Sequence, residues 1–173
     1  MQTIIKSSFL ALLCCLTFTA QASTINKSNE SSVDDLHIVA GKNYKLLFKL
    51  DDSIETYNHH SQSIGLGYVK NMVMICEKYH AKCDIDVVVH GRAFPLVVKS
   101  DSLKHKLNRG VNYDYSNVIN YLTAHKVRII TSKSSLEDNK LSAADLLPNV
   151  QVADSATLFC AEKIVAGYYE IDN

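Results

Sequence analysis

The sequence predicts an α/β fold: a three-layer α/β/α sandwich with a mainly parallel sheet of four to five strands, in a flavodoxin-like arrangement. Three observations carry the prediction. Asp84–Gly91 reads Asp-Ile-Asp-Val-Val-Val-His-Gly, and its β-branched run (Ile85, then Val87 to Val89) suits a strand buried on both faces under helices. Strand-like stretches alternate along the chain with stretches of helical spacing, the signature of a parallel sheet with helices on both sides. The chain has 173 residues, 47% of them apolar, enough for one compact domain with a full core.

The amino-terminal segment is set apart from that domain. Lys6 is its only charge, Phe9 to Leu16 is a short apolar core, and Ala20-Gln21-Ala22 fits a small-x-small cleavage site. Residues 1–22 therefore read as a secretory signal peptide, too short for a spanning helix, and the expected location is periplasmic or secreted. Cleavage after Ala22 would leave 173 − 22 = 151 residues with 17 basic and 18 acidic side chains, a net charge of −1. Cys14 and Cys15 would leave with the signal. Leucines precede them where a lipidated cysteine wants small residues. Cys76, Cys83 and Cys160 remain, in an oxidising compartment, and an odd number means that one is free or pairs between chains.

Residues 23–43 are a polar, flexible leader, with Leu36 to Val39 a candidate edge element, and 44–173 form the single domain. Tyr44–Leu50 is the first strand and stops at Asp51-Asp52-Ser53. A polar loop with His59-His60 follows. Ile64–Tyr79 is a helix, its stripe predicted along Ile64, Tyr68, Met72 and Ile75, with Val69, Val73 and Cys76 beside it. After the central strand, Pro95 suits the first turn of a helix to about Lys99. Ser102 to Leu107 is another turn, and Asn108 to Asp114 a loop. Tyr115–His125 is a short helix and Lys126–Thr131 a third strand. Ser142–Asp145 is a helical turn, Val150–Val152 a last strand, and Ala153–Tyr168 a closing helix.

Five stretches stand in a telling order: Lys45–Asp52 (KLLFKLDD), Asp86–Gly91 (DVVVHG), Lys126–Leu136 (KVRIITSKSSL), Ala144–Val152 (ADLLPNVQV) and the last helix ending in Gly167-Tyr168. In this order and spacing the chain resembles the DsrE/DsrF-like family of small α/β sulfur-relay proteins over most of residues 44–169. The resemblance implies a trimer or hexamer and a bacterial source. It also implies a sulfur-transferring cysteine just after the strand matching Val127–Thr131. Ser132 stands where that cysteine aligns, and serine cannot carry a persulfide. The signal peptide and the Asn108–Asp114 insertion are further departures from the family.

In an open parallel sheet, ligands bind at the carboxyl ends of the strands. Asp51, His90, Gly91, Arg92 and Ser132 all fall at such ends and are the expected ligand-binding residues. With Arg92 as the arginine nearest this site, the expected ligand is small and anionic. For Asp51 and Asp52 a helix cap is the competing role, and for His90 a turn contact. His59, His60, His90 and Asp51 have metal-ligand chemistry but no metal-ligand spacing, so neither a metal nor a cofactor is expected. Ser132 lacks the surroundings of a hydrolytic nucleophile. Cys76 and Cys83 are a candidate disulfide, the alternative being two free thiols. Cys160 reads as a buried small apolar residue. Tyr113, Tyr115, Tyr121, Tyr168 and Tyr169 would suit a homo-oligomer interface. The balance of 18 basic and 18 acidic residues offers no field for nucleic acid, and no membrane partner is expected after signal cleavage. The leading expectation is a non-catalytic binding or assembly subunit. The alternatives are a sulfur carrier using a non-standard cysteine and a metal-binding periplasmic protein.

Overall fold

The computed structural model describes residues 38–51, 63–107 and 114–172, all within one compact unit. The signal peptide, most of the leader, the His59-His60 loop and the Asn108 to Tyr113 insertion lie outside the described residues. Among those described, no helix is long and apolar enough to cross a membrane.

Five strands form one sheet, all pairings parallel, in the spatial order β4-β3-β2-β1-β5. The layers are as expected, but this is not the 2-1-3-4-5 order of a flavodoxin-like arrangement: β2, β3 and β4 step out on one side of β1, and β5 crosses back to its other side. They are β1 (Asn43–Leu50), β2 (Lys82–Val89), β3 (Arg128–Ser132), β4 (Val150–Ala153) and β5 (Tyr169–Asp172). The helices are α1 (Ile64–Lys78), α2 (Ser100–Lys106), α3 (Ser116–Ala124), α4 (Lys133–Asp138) and α5 (Ala156–Val165), with 3-10 turns at Gly91–Val97 and Ala143–Asp145. β2 is the strand read from its β-branched run. Ile85 to Val89 are all buried, and alternate side chains enter the two cores. β5 is an addition: the sequence predicts no element for Tyr169–Asp172 beyond the closing helix. It forms the edge beside β1; of the candidate edge element Leu36 to Val39, Ile38 and Val39 form no strand and the other two residues lie outside the described residues.

The main core lies on one face of the sheet. Leu46, Phe48 and Leu50 of β1 and Ile85, Val87 and Val89 of β2 meet Leu66, Val69 and Val73 of α1 and Ile119 and Leu122 of α3 there. The buried stripe of α1 is Leu66, Val69, Val73 and Cys76, whereas Tyr68 and Ile75 of the expected stripe face solvent. Apolar side chains run round much of this helix, so its rotation is set by docking onto β1. That docking is close: a Cβ on Gly65 would stand 2.7 Å from Leu50 Cδ2. Ser63 caps α1, its hydroxyl accepting from the Leu66 N–H. A disulfide joins Cys76, near the end of α1, to Cys83 at the start of β2.

The opposite face is covered by α5, over a small core of Leu47, Val88, Ile130, Cys160 and Tyr168. This face also holds charge. Asp86 of β2 is wholly buried. Arg128 of β3 grips it with both prongs, Nε to Oδ1 at 2.6 Å and Nη2 to Oδ2 at 2.6 Å. Lys163 of α5 approaches Oδ2 at 3.1 Å. The Tyr168 hydroxyl donates to Asp84 Oδ2 at 2.5 Å. Burial, then the Asp84 hydrogen bond and the neighbouring carboxylates, push the Tyr168 pKa up to about 12.

Candidate functional site

Three parallel strands end side by side at the top of the sheet, and each ending turns the chain in a different way. β1 stops at Leu50, whose carbonyl accepts from His90 N–H at 3.0 Å. β2 stops at His90 in an extended conformation, and Gly91 then enters the left-handed region at φ +56°. A Cβ at Gly91 would lie 3.1 Å from the Asp51 carbonyl oxygen, so both the turn and the crossing favour glycine. β3 stops at Ser132, which is buried and caps α4 by accepting from Ser135 N–H at 3.1 Å. Its Oγ also meets Ser134 Oγ and Ser135 Oγ, each at 2.9 Å. The Thr131 hydroxyl donates to the Val89 carbonyl at 2.9 Å and ties the ends of β2 and β3 together.

These endings line a hollow of about 580 Å³ on the α5 side. His90, Gly91 and Ser132 are in its wall, as read from the strand ends. Asp51 and Arg92 are not: both are exposed, and Asp51 acts through its backbone carbonyl, which accepts from Ala93 N–H at 3.1 Å. The left-handed step at Gly91 is what carries the chain, and Arg92 with it, away from the hollow. Residues unforeseen as site residues complete the wall. Ser134, Ser135 and Asp138 come from α4, and Ser155 and Thr157 from the start of α5. Lys49 of β1 and Glu170 of β5 face it as an ion pair, 3.3 Å apart. Cys160 also lines it, buried in the smaller core as expected and not in a disulfide. Beside Ser132 and Ser155 in the chain, Lys133 pairs with Asp154. The hydrogen bond and the opposite charge raise the lysine pKa and lower that of the carboxyl.

The wall thus offers five hydroxyls, an imidazole and a thiol. Its charges are Lys49 against Asp138 and Glu170, a formal sum of −1 with His90 neutral. Of the tyrosines considered for an interface, Tyr115 and Tyr168 are buried within the fold, and Tyr113 lies outside the described residues. Tyr169 is 73% exposed, on the edge strand. No group of three metal-ligand side chains occurs among the described residues, and His59 and His60 lie outside them.

Fold and hollow together define the class: a parallel α/β sandwich with a polar recess at the carboxyl ends of its strands. No protein-family model matches the chain, and no curated protein does. Among solved structures, the chain is similar to MTH1491, a protein of unknown function from Methanobacterium thermoautotrophicum. The two are 19% identical, with a TM-score of 0.58 over 75% of this chain and 99% of that one. It is also similar to the ychN protein from E. coli, at 14% identity and a TM-score of 0.49, again over 75% of this chain and 99% of that one. The first likeness shows that the chain has the DsrE-like α/β fold.

Proposed function

We propose that the protein is an exported, non-catalytic subunit that binds a small polar ligand in the hollow at the strand ends. The observation that carries this is the convergence of His90 and five hydroxyls on one recess where open parallel sheets take their ligands. With Arg92 outside the wall and Asp138 and Glu170 within it, the recess favours an uncharged or cationic polar ligand over the anion first expected. The test is an amide chemical-shift titration of the mature protein with matched neutral, cationic and anionic small polyols. Neutral or cationic members should shift His90, Ser134 and Thr157, and Thr157→Val should weaken them. Shifts that map elsewhere, or a set that binds only as anions, would overturn the reading.

Two further parts belong to this proposal. Export to the periplasm rests on residues 1–22, and amino-terminal sequencing of the secreted product should begin at Ser23. Assembly into a homo-oligomer rests on the family resemblance and on the exposed apolar side chains of α5, Leu158 and Val165, at 58 and 89%. Sedimentation should give a multiple of the chain mass, and Val165→Lys should reduce it.

A second reading has its own observation. Cys160 is not in a disulfide and shares the wall of the hollow with Ser132, so a sulfur carrier could use it in place of the usual strand-end cysteine. Incubation with a polysulfide, from which the thiolate takes one sulfane sulfur while the shortened polysulfide leaves, followed by mass mapping distinguishes the two. One extra sulfur atom on Cys160 supports the carrier, and an unmodified thiol supports the binding subunit.

A further inference from the structure

The opposite end of the sheet holds a second concavity, of about 440 Å³, where β3 and β4 begin. Asn120 and Thr123 of α3, Lys126, Arg128, Asn149 and Gln151 are the polar residues lining it. Lys126 and Asn149 sit at the turns into the two strands, both left-handed, at φ +65° and +67°. Strand β4 first pairs at Ile129, so Arg128 stands beyond its end.

The charge here is one-sided. Among the described residues no carboxylate lines the concavity. The Lys126 ammonium has no hydrogen bond or ion pair among the described residues. Arg128 is held differently from an ordinary surface arginine. Its Nε and Nη2 are locked on the buried Asp86, Nη2 also lies 3.3 Å from the Tyr168 hydroxyl, and Nη1 is left over. The side chain is 39% exposed. Asp84 and Asp86 stand against Arg128 and Lys163, so that cluster sums to zero and leaves Lys126 as the uncompensated cation. A guanidinium clamped in plane loses little freedom when its remaining N–H groups meet an acceptor.

We propose that this concavity binds the phosphate of a small phosphomonoester. Lys126 supplies the uncompensated charge, and the outward side of the Arg128 guanidinium together with the carboxamides of Asn120, Asn149 and Gln151 supplies donors to the remaining oxygens of the phosphate. The volume leaves room for the small body that carries the phosphate. Asp86 is then a positioning residue that fixes the arginine. The inference is independent of what the strand-end hollow binds.

The test is calorimetry on the mature protein with glucose 6-phosphate, inorganic phosphate and glucose, at low and high salt. Glucose 6-phosphate should bind, more weakly in high salt, and glucose should not. Lys126→Asn keeps a residue tolerant of the left-handed turn and removes the charge. It should weaken binding by about tenfold or more. Gln151→Glu should abolish it, and Ser134→Ala in the other hollow should leave it unchanged. The proposal fails if neither phosphate binds at millimolar concentration, or if inorganic phosphate binds and the ester does not. It fails equally if Lys126→Asn has no effect, or if Ser134→Ala weakens binding as much.

Discussion

Replacing Asp86 by Asn tests the buried charge cluster most directly. The carboxylate is fully buried and accepts two guanidinium N–H bonds at 2.6 Å, with Lys163 at 3.1 Å. Asn keeps the volume but removes the charge and turns an NH2 toward a donor. Arg128 and Lys163 then lose their counter-ion. Removing one partner of a buried pair costs on the order of 3–5 kcal/mol, and the retained carbonyl puts Asp86→Asn near about 3 kcal/mol. In a domain of this size that lowers the melting temperature by roughly 6–12 °C. The assay is urea and thermal unfolding by circular dichroism with the disulfide intact. Asp86→Leu with Arg128→Met should recover much of the loss, because removing both charges leaves no orphan while Lys163 can reach solvent. A loss below about 1 kcal/mol for Asp86→Asn, or a double variant as unstable as the sum of its singles, would refute the reasoning.

Other predictions concern single residues. Tyr168 has a folded pKa raised to about 12 from an ordinary 10.0, so the unfolded chain releases its proton first as pH rises. Its stabilising contribution is therefore complete below pH 10 and is lost as pH climbs toward 12. Wild type should lose stability with pH more steeply than Tyr168→Phe there, by up to about 1.4 kcal/mol per pH unit, and parallel curves would contradict this. The Cys76–Cys83 link closes a short loop, with a sequence separation of 7. Its paired replacement by Ala should cost roughly 2.5 kcal/mol, read by urea unfolding. In the mature protein, without residues 1–22 and with the disulfide in place, a native thiol count should find Cys160 alone, labelling slowly at 8% exposure, and two or more fast thiols would refute the pairing. Gly91→Ala combines a left-handed backbone with the 3.1 Å approach to the Asp51 carbonyl. It should cost about 1–2 kcal/mol in the same assay.

The parts that were legible in the sequence are those set by local chemistry. Ile85 and Val87 to Val89 announce a buried strand because β-branched residues fit a sheet covered on both sides. His90 and Ser132 follow from that reading, since the end of a parallel strand is a known place for a site. What escaped depends on topology. Tyr169-Glu170-Ile171-Asp172 has the mixed polarity of an edge strand and no turn chemistry to mark it after Gly167. Without β5 and the path of α5 there was no reason to bring Glu170, Ser155 or Cys160 to the strand ends. Asp86 looked like a polar interruption in an apolar run. Its partner Arg128 becomes visible only through the register that sets Asp86 beside it on β3. The α1 stripe was misplaced because Tyr68 and Ile75 are as apolar as the residues actually buried, and periodicity alone cannot choose between two such faces.

The position of β1 carries a consequence for biosynthesis. Its Leu46–Lys49 backbone pairs with β2 on one side and with the last strand, β5, on the other. Everything between Leu50 and Tyr169 must be made before that second side is closed. At ordinary elongation rates this is on the order of 10 s, during which an apolar strand, Leu46-Leu47-Phe48, keeps one unpaired edge. A nascent chain stopped just short of Tyr169 would hold nearly the whole core and still present a sticky edge, so ribosome-bound chains of that length are where a holdase chaperone should be found.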